Sequence, residues 1–79
     1  MEYIVTFHTH YGAMRYHKYC AGKGDASRMA PVPRALSSSC GVCVYVKTEQ
    51  APSIEGHVDV ELCYIVEPGG AYRRVCASA

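Results

Sequence analysis

Two prolines one residue apart, Pro31 and Pro33, break the chain near its middle and limit what it can fold into. Each fixes its own φ and removes a backbone donor, so Pro31-Val32-Pro33 is extended and cannot lie within a central strand. It must end a strand or lie on a sheet edge. Arg34 follows and opens a turn, and Ser37-Ser38-Ser39 then leads into Cys40-Gly41-Val42-Cys43. A run of serines supplies hydroxyls that bond locally to turn backbone, and Gly41 leaves little steric cover behind the Cys40 thiol. This composition displays a cysteine.

The flanking segments read as the scaffold that presents this loop. Tyr3 to Phe7, Tyr-Ile-Val-Thr-Phe, is β-branched and aromatic throughout, as a strand buried on both faces should be. Thr9 is a candidate N-cap. Ala13, Met14, His17, Cys20 and Ala21 then recur at three- and four-residue spacings, which predicts an amphipathic helix ended by Gly22 and Gly24. Ala26 to Val32 reads as a second strand, and Val42 to Val46 as a third. Pro52 and Gly56 leave at most a short second helix between Thr48 and His57. Val58 to Val66 places apolar residues at 58, 60, 62, 64 and 66, the pattern of a strand with one buried face. Pro68-Gly69-Gly70 is a turn, and Ala71 to Val75 can return as a hairpin arm. The expected fold is α+β: a ferredoxin-like two-layer sandwich with a mainly antiparallel sheet of four or five strands, one clear helix and a weak second one. A single domain spanning 1–76, followed by a flexible tail at 77–79, fits the small core that 79 residues can build.

Eight basic residues against seven acidic ones give a formal charge of +1. That balance argues against an anionic membrane or nucleic acid as the main partner, and no basic stripe accompanies the tyrosines, which argues against a nucleic-acid stacking platform. No apolar run approaches the length of a membrane span. Five cysteines would suggest a disulfide framework in a secreted chain, but the N-terminus shows no signal-peptide pattern and the count is odd. The expectation is a cytoplasmic protein whose cysteines are thiols, metal ligands or reactive groups. No cofactor is called for.

Cys40 and Cys43 form a CxxC, a spacing that suits a redox pair or half of a soft-metal site. Alternatively, Cys43 is a strand residue facing away from Val42 and Val44, its thiol buried in the core. His8 and His10, near the helix start, could complete a metal site with the two cysteines, or be exposed polar residues. His17 reads as a helix-surface residue. Cys20 and Cys63 lie among apolar positions and read as core thiols, and Cys76 as an exposed one near the tail. Arg28 and Arg34 bracket the Pro-Val-Pro segment, where a guanidinium would favour a thiolate and hold an anionic substrate, or simply be solvated.

The combination of the first strand, Thr9, Ala13-Met14, Lys18, Arg28, Pro31-Val32-Pro33-Arg34 and Ser37-Ser38-Ser39-Cys40-Gly41 resembles a family of small bacterial and archaeal selenium/sulfur carrier-like proteins. The likeness runs over roughly the first 46 residues; beyond them the family is expected to have a fuller second helix than Pro52 and Gly56 allow. It implies a cysteine that carries sulfur or selenium as a persulfide or selenopersulfide between donor and acceptor proteins. By position that cysteine is Cys40. Arg34 would lower its pKa, with Arg28, Ser38, Ser39 and Gly41 shaping the substrate site. The rival readings are a metal-binding or metal-chaperone module, using Cys40 and Cys43 with His8 or His10, and a thiol redox protein using the same pair.

Overall fold

The computed structural model describes residues 1–36, 40–49 and 59–77, with only the backbone path given at 76 and 77. Among these residues, five strands and one helix follow in the order β1 (Glu2–Phe7), α1 (His10–Lys23), β2 (Ala26–Pro31), β3 (Val42–Lys47), β4 (Val60–Val66) and β5 (Tyr72–Ala77). The sheet order is β2-β3-β1-β4-β5, and every neighbouring pair is antiparallel. The fold is therefore α+β. β1 is the central strand, which explains its unbroken burial from Tyr3 to Phe7. β2 lies at one edge and ends on Pro31, where a missing N–H costs no ladder bond in the sheet interior.

Thr9 caps α1 from an extended conformation, its Oγ1 accepting from the Gly12 N–H at 2.9 Å. At the other end Gly24 takes a φ of 87°, a left-handed conformation that glycine adopts without strain, and its N–H donates to the Ala21 carbonyl. Gly22, expected to end the helix, lies within it.

The buried face of α1 is rotated from the expected one. Gly12, Ala13, Tyr16 and Cys20 are buried, whereas Met14 and Ala21 are exposed and His17 is half-buried against Ser27. A tyrosine ring contributes more apolar area than a methionine stem and fits the Phe7 ring, 5.5 Å away between centroids, so Tyr16 takes the inward position. The core on this side of the sheet joins these residues to Tyr3, Val5, Phe7, Val44, Val46, Val60, Cys63 and Ile65.

β4 departs from its sequence pattern for a specific reason. Thr6 pairs with Leu62 but Phe7 pairs with Val60, so Glu61 is an extra residue in the ladder. This bulge resets the alternation. Val60, Cys63 and Ile65 face the helix-side core, and Leu62, Tyr64 and Val66 are only half-buried. The single buried face expected at 60, 62, 64 and 66 is thus divided between the two sides; position 58, like the weak second helix expected across 48–57 from residue 50 onward, lies outside the described residues.

β5 returns from the Pro68–Gly70 turn, closed by Gly70 N–H to Glu67 O at 2.9 Å, and covers the outer edge of β4. It runs on through Ala77. No helix among the described residues is long and apolar enough to cross a membrane.

Candidate functional site

The sheet register gathers the chemistry-bearing residues at one end. β1 finishes at Phe7 beside the beginnings of β3 and β4, and β2 finishes at Pro31 opposite Val42. His8, Thr9 and His10, the Pro31–Leu36 segment, Cys40-Gly41 and Asp59 therefore share this edge with the N-terminus of α1.

The segment carrying Cys40 is held at both sides. Val32 N–H donates to Gly41 O at 3.1 Å, extending the β2–β3 pairing one step past Pro31, and Leu36 N–H closes a turn onto Pro33 O at 3.0 Å. Arg34 is exposed on that turn. Gly41 has a φ of 74°, again left-handed, and an added Cβ would meet nothing within 4 Å, so the requirement for glycine here is conformational. This kink turns the chain into β3 and leaves Cys40 outside the ladder. Ser38 and Ser39, expected to shape the site, lie outside the described residues, as does Ser37.

Four cysteines have described side chains, and all four are thiols. Three are fully buried: Cys20 and Cys63 within the helix-side core, and Cys43 on the opposite face of the sheet. Cys40 alone among them is partly exposed. Its thiol donates to Val42 O at 3.4 Å while the residue packs against the margin of the helix-side core. Cys43 sits opposite Ala30 and Thr6, with Sγ 3.8 Å from Pro31 O. Burial pushes its thiol up to about 11, against a smaller downward pull from Arg28; a charge on Cys40 would raise it further. Burial also raises the Cys20 thiol, with Asp25 acting in the same direction.

Arg28 lies in the interior of β2, and its guanidinium stacks over the Tyr45 ring at 4.1 Å. Its described electrostatic influence falls on Cys43 and Tyr45.

His8 is exposed and pairs with Glu61 across 3.6 Å; His10 is exposed at the first position of α1. No group of three or more His, Cys, Asp or Glu side chains among the described residues is arranged to hold a metal ion.

Asp59 is a structural part of this end that the sequence pattern did not single out. Its carbonyl accepts from His8 N–H at 2.8 Å, its carboxylate accepts from Thr9 Oγ1 at 3.3 Å, and its side chain lies where a Cβ on Gly12 would be. The only sequence signal for it was the small residue at 12, which becomes meaningful once β4 is known to start beside the α1 cap.

The family described as "Putative Se/S carrier protein-like" matches the chain over residues 2–67, from β1 through the end of β4, well beyond the first 46 residues that carry the visible motifs. No curated protein and no solved structure matches the chain.

Proposed function

The chain belongs to the Se/S carrier-like family, and from that premise we propose that it is a cytoplasmic carrier that holds sulfur or selenium on Cys40 and relays it between a donor and an acceptor protein. The observation that carries this reading is the contrast among the cysteines. Cys40 is partly exposed on a glycine-kinked segment at the sheet end, whereas Cys20, Cys43 and Cys63 are buried. A carrier needs one accessible thiolate. That thiolate attacks the terminal sulfur of a donor persulfide; the donor's S–S bond breaks, the donor leaves as a thiolate, and Cys40 becomes the persulfide with no net oxidation. Release to an acceptor repeats the same exchange in the other direction.

A second thiol able to reach the inner sulfur would discharge this intermediate, closing a disulfide and expelling sulfide. Cys43 lies on the sheet face away from the core against which Cys40 packs, and burial keeps its thiol protonated. That arrangement supports a carrier over a dithiol redox centre or a two-thiolate metal site. Arg34, exposed on the Pro33–Leu36 turn, is assigned to the incoming anionic group, together with Ser38, Ser39 and Gly41. We further read the order β2-β3-β1-β4 as a ferredoxin-like sheet extended by β5.

The test is to treat wild type, Cys40→Ser and Cys43→Ala with a cysteine desulfurase and cysteine, and to weigh the intact proteins. A gain of one sulfur on wild type and Cys43→Ala, absent from Cys40→Ser, is expected. Loading of Cys40→Ser at the wild-type level sinks the assignment, and tight zinc binding abolished by either substitution replaces it with the metal reading.

A further inference from the structure

The sheet face opposite α1 carries cations and aromatic rings that are scattered in the sequence and brought into rows by the register. One row crosses all five strands as Arg28, Tyr45, Ile4, Tyr64 and Arg74. The adjacent row runs Ala26, Lys47, Glu2, Val66 and Tyr72. Arg28, Lys47 and Arg74 are exposed, and the three tyrosines are partly so. Ile4 is fully buried between Tyr45 and Tyr64, giving the rings an apolar floor.

The charges on this face suit an anionic ligand, as do those on the exposed side of α1, where Arg15, Lys18 and Lys23 stand without an acid on the helix. Glu2 is the one acid in these two rows, against three cations. Four acids outside these rows are locally engaged: Asp25 with Lys23, Glu61 with His8, Glu67 with Arg73, and Asp59 with the Thr9 cap. A nearly neutral chain thus presents a face of net charge +2 from these residues. The Arg28 guanidinium already stacks on Tyr45, and the pair borders a depression of about 200 Å³ lined also by Glu2, Ala26, Ser27 and Lys47. The sequence shows no basic stripe beside the tyrosines; folding makes Arg28 and Lys47 neighbours on adjacent strands and places Arg74 on the same face at the far edge, beyond Tyr64.

We propose that this face binds single-stranded nucleic acid, with one base on the Arg28–Tyr45 stack, a second on Tyr64, and phosphates at Lys47 and Arg74. Tyr45 and Tyr64 stand two strands apart, about 10 Å, so they receive separate, splayed bases rather than a stacked duplex step. Partly exposed rings and exposed guanidinium planes on a sheet suit unpaired bases, whose faces are hidden in a duplex. An acidic protein segment would use the same cations and leave the rings without a role. The inference is independent of Cys40.

The experiment measures fluorescence anisotropy of labelled 12-nucleotide single-stranded RNA and DNA with the full-length protein, at low and physiological salt. Competitors are a duplex of the same sequence and polyglutamate. Binding of a single strand is expected, with a weak salt dependence appropriate to two or three phosphate contacts. Tyr45→Ala and Tyr64→Ala should each weaken it by roughly 5- to 100-fold. Tyr45→Phe, which keeps the ring and protects the test against misfolding, should bind as wild type does, and Cys40→Ser should also bind normally while failing to load sulfur. The proposal is overturned if no single strand binds at roughly 100 µM protein, the weak end of non-specific affinity. It is equally overturned if polyglutamate or duplex competes as well as a single strand, or if Tyr45→Leu binds as tightly as Tyr45→Phe.

Discussion

Burial, more than the CxxC spacing, separates Cys40 from the other cysteines whose side chains are described. A thiol at about 11 is ionised in roughly one molecule in ten thousand at pH 7, so Cys43 is a poor nucleophile even before its inaccessibility is counted. Limiting iodoacetamide on the native protein, followed by peptide mass mapping, should therefore label Cys40 ahead of Cys20, Cys43 and Cys63. Faster labelling of a buried thiol would remove the physical basis of the carrier reading. The same shift makes stability pH-dependent. Cys43 loses its proton near 9.0 when unfolded and only near 11 when folded, so the contribution is fully present below pH 9 and is lost as pH rises toward 11. Wild type should lose on the order of 1–2 kcal/mol of urea stability over that window, and Cys43→Ala distinctly less. Equal losses in the two proteins would show that Cys43 does not titrate as its burial requires. The local pattern already suggested an exposed Cys40, with its serines and glycine; that Cys43 is buried on the far face depended on strand register, which the sequence left as one of two readings.

Elements were legible where one local rule decided them. Five consecutive β-branched or aromatic residues, Tyr3 to Phe7, made β1, Thr9 and Gly24 delimit α1, and the Pro68-Gly69-Gly70 turn announced the last hairpin. The signal failed where tertiary contacts chose between locally equivalent options. Alternation from 58 to 66 looked like a single buried face, but the bulge at Glu61 lets Val60 join the helix-side core while shifting the remaining alternation by one residue. The α1 face was likewise decided by the Phe7 ring, which selects Tyr16 over Met14. The junction of these two elements is sensitive at Gly12. An added Cβ there collides with the Asp59 Cβ and carboxylate, whose backbone is itself tied to His8. Gly12→Ala should cost about 1–3 kcal/mol despite alanine's better helix propensity. Thr9→Ala should cost about 1 kcal/mol through loss of the cap. Urea melts of Gly12→Ala and of Gly12→Ala/Asp59→Gly separate clash from propensity: the double variant should recover part of the loss, and no recovery would place the strain elsewhere.

At the scale of the molecule, the family match ends at residue 67 while the sheet continues into β5. The fifth strand is thus an addition outside the matched segment, and its physical role can be isolated. β5 pairs with β4 along its outer edge from Val66 and Tyr72 to Leu62 and Ala77, and Val75 packs against the core that contains Cys63 and Ile65. Without it, β4 becomes an unpaired edge with half-buried Leu62, Tyr64 and Val66 beside it, the kind of edge that recruits another strand. The end that carries Cys40 does not depend on this pairing, because Cys40 is held by β2, β3 and the turn between them. A chain ending after Glu67 should therefore keep β-rich circular dichroism and accept sulfur on Cys40, while losing roughly 1–3 kcal/mol of stability. Light scattering should show it self-associating as its concentration rises, whereas the full chain under the same conditions shows the state that β5 permits. If the shortened chain melts at the full-length temperature and shows the same mass at every concentration, β5 protects nothing. If it keeps its fold but no longer loads sulfur, the site reaches further across the sheet than Cys40 and its two strands.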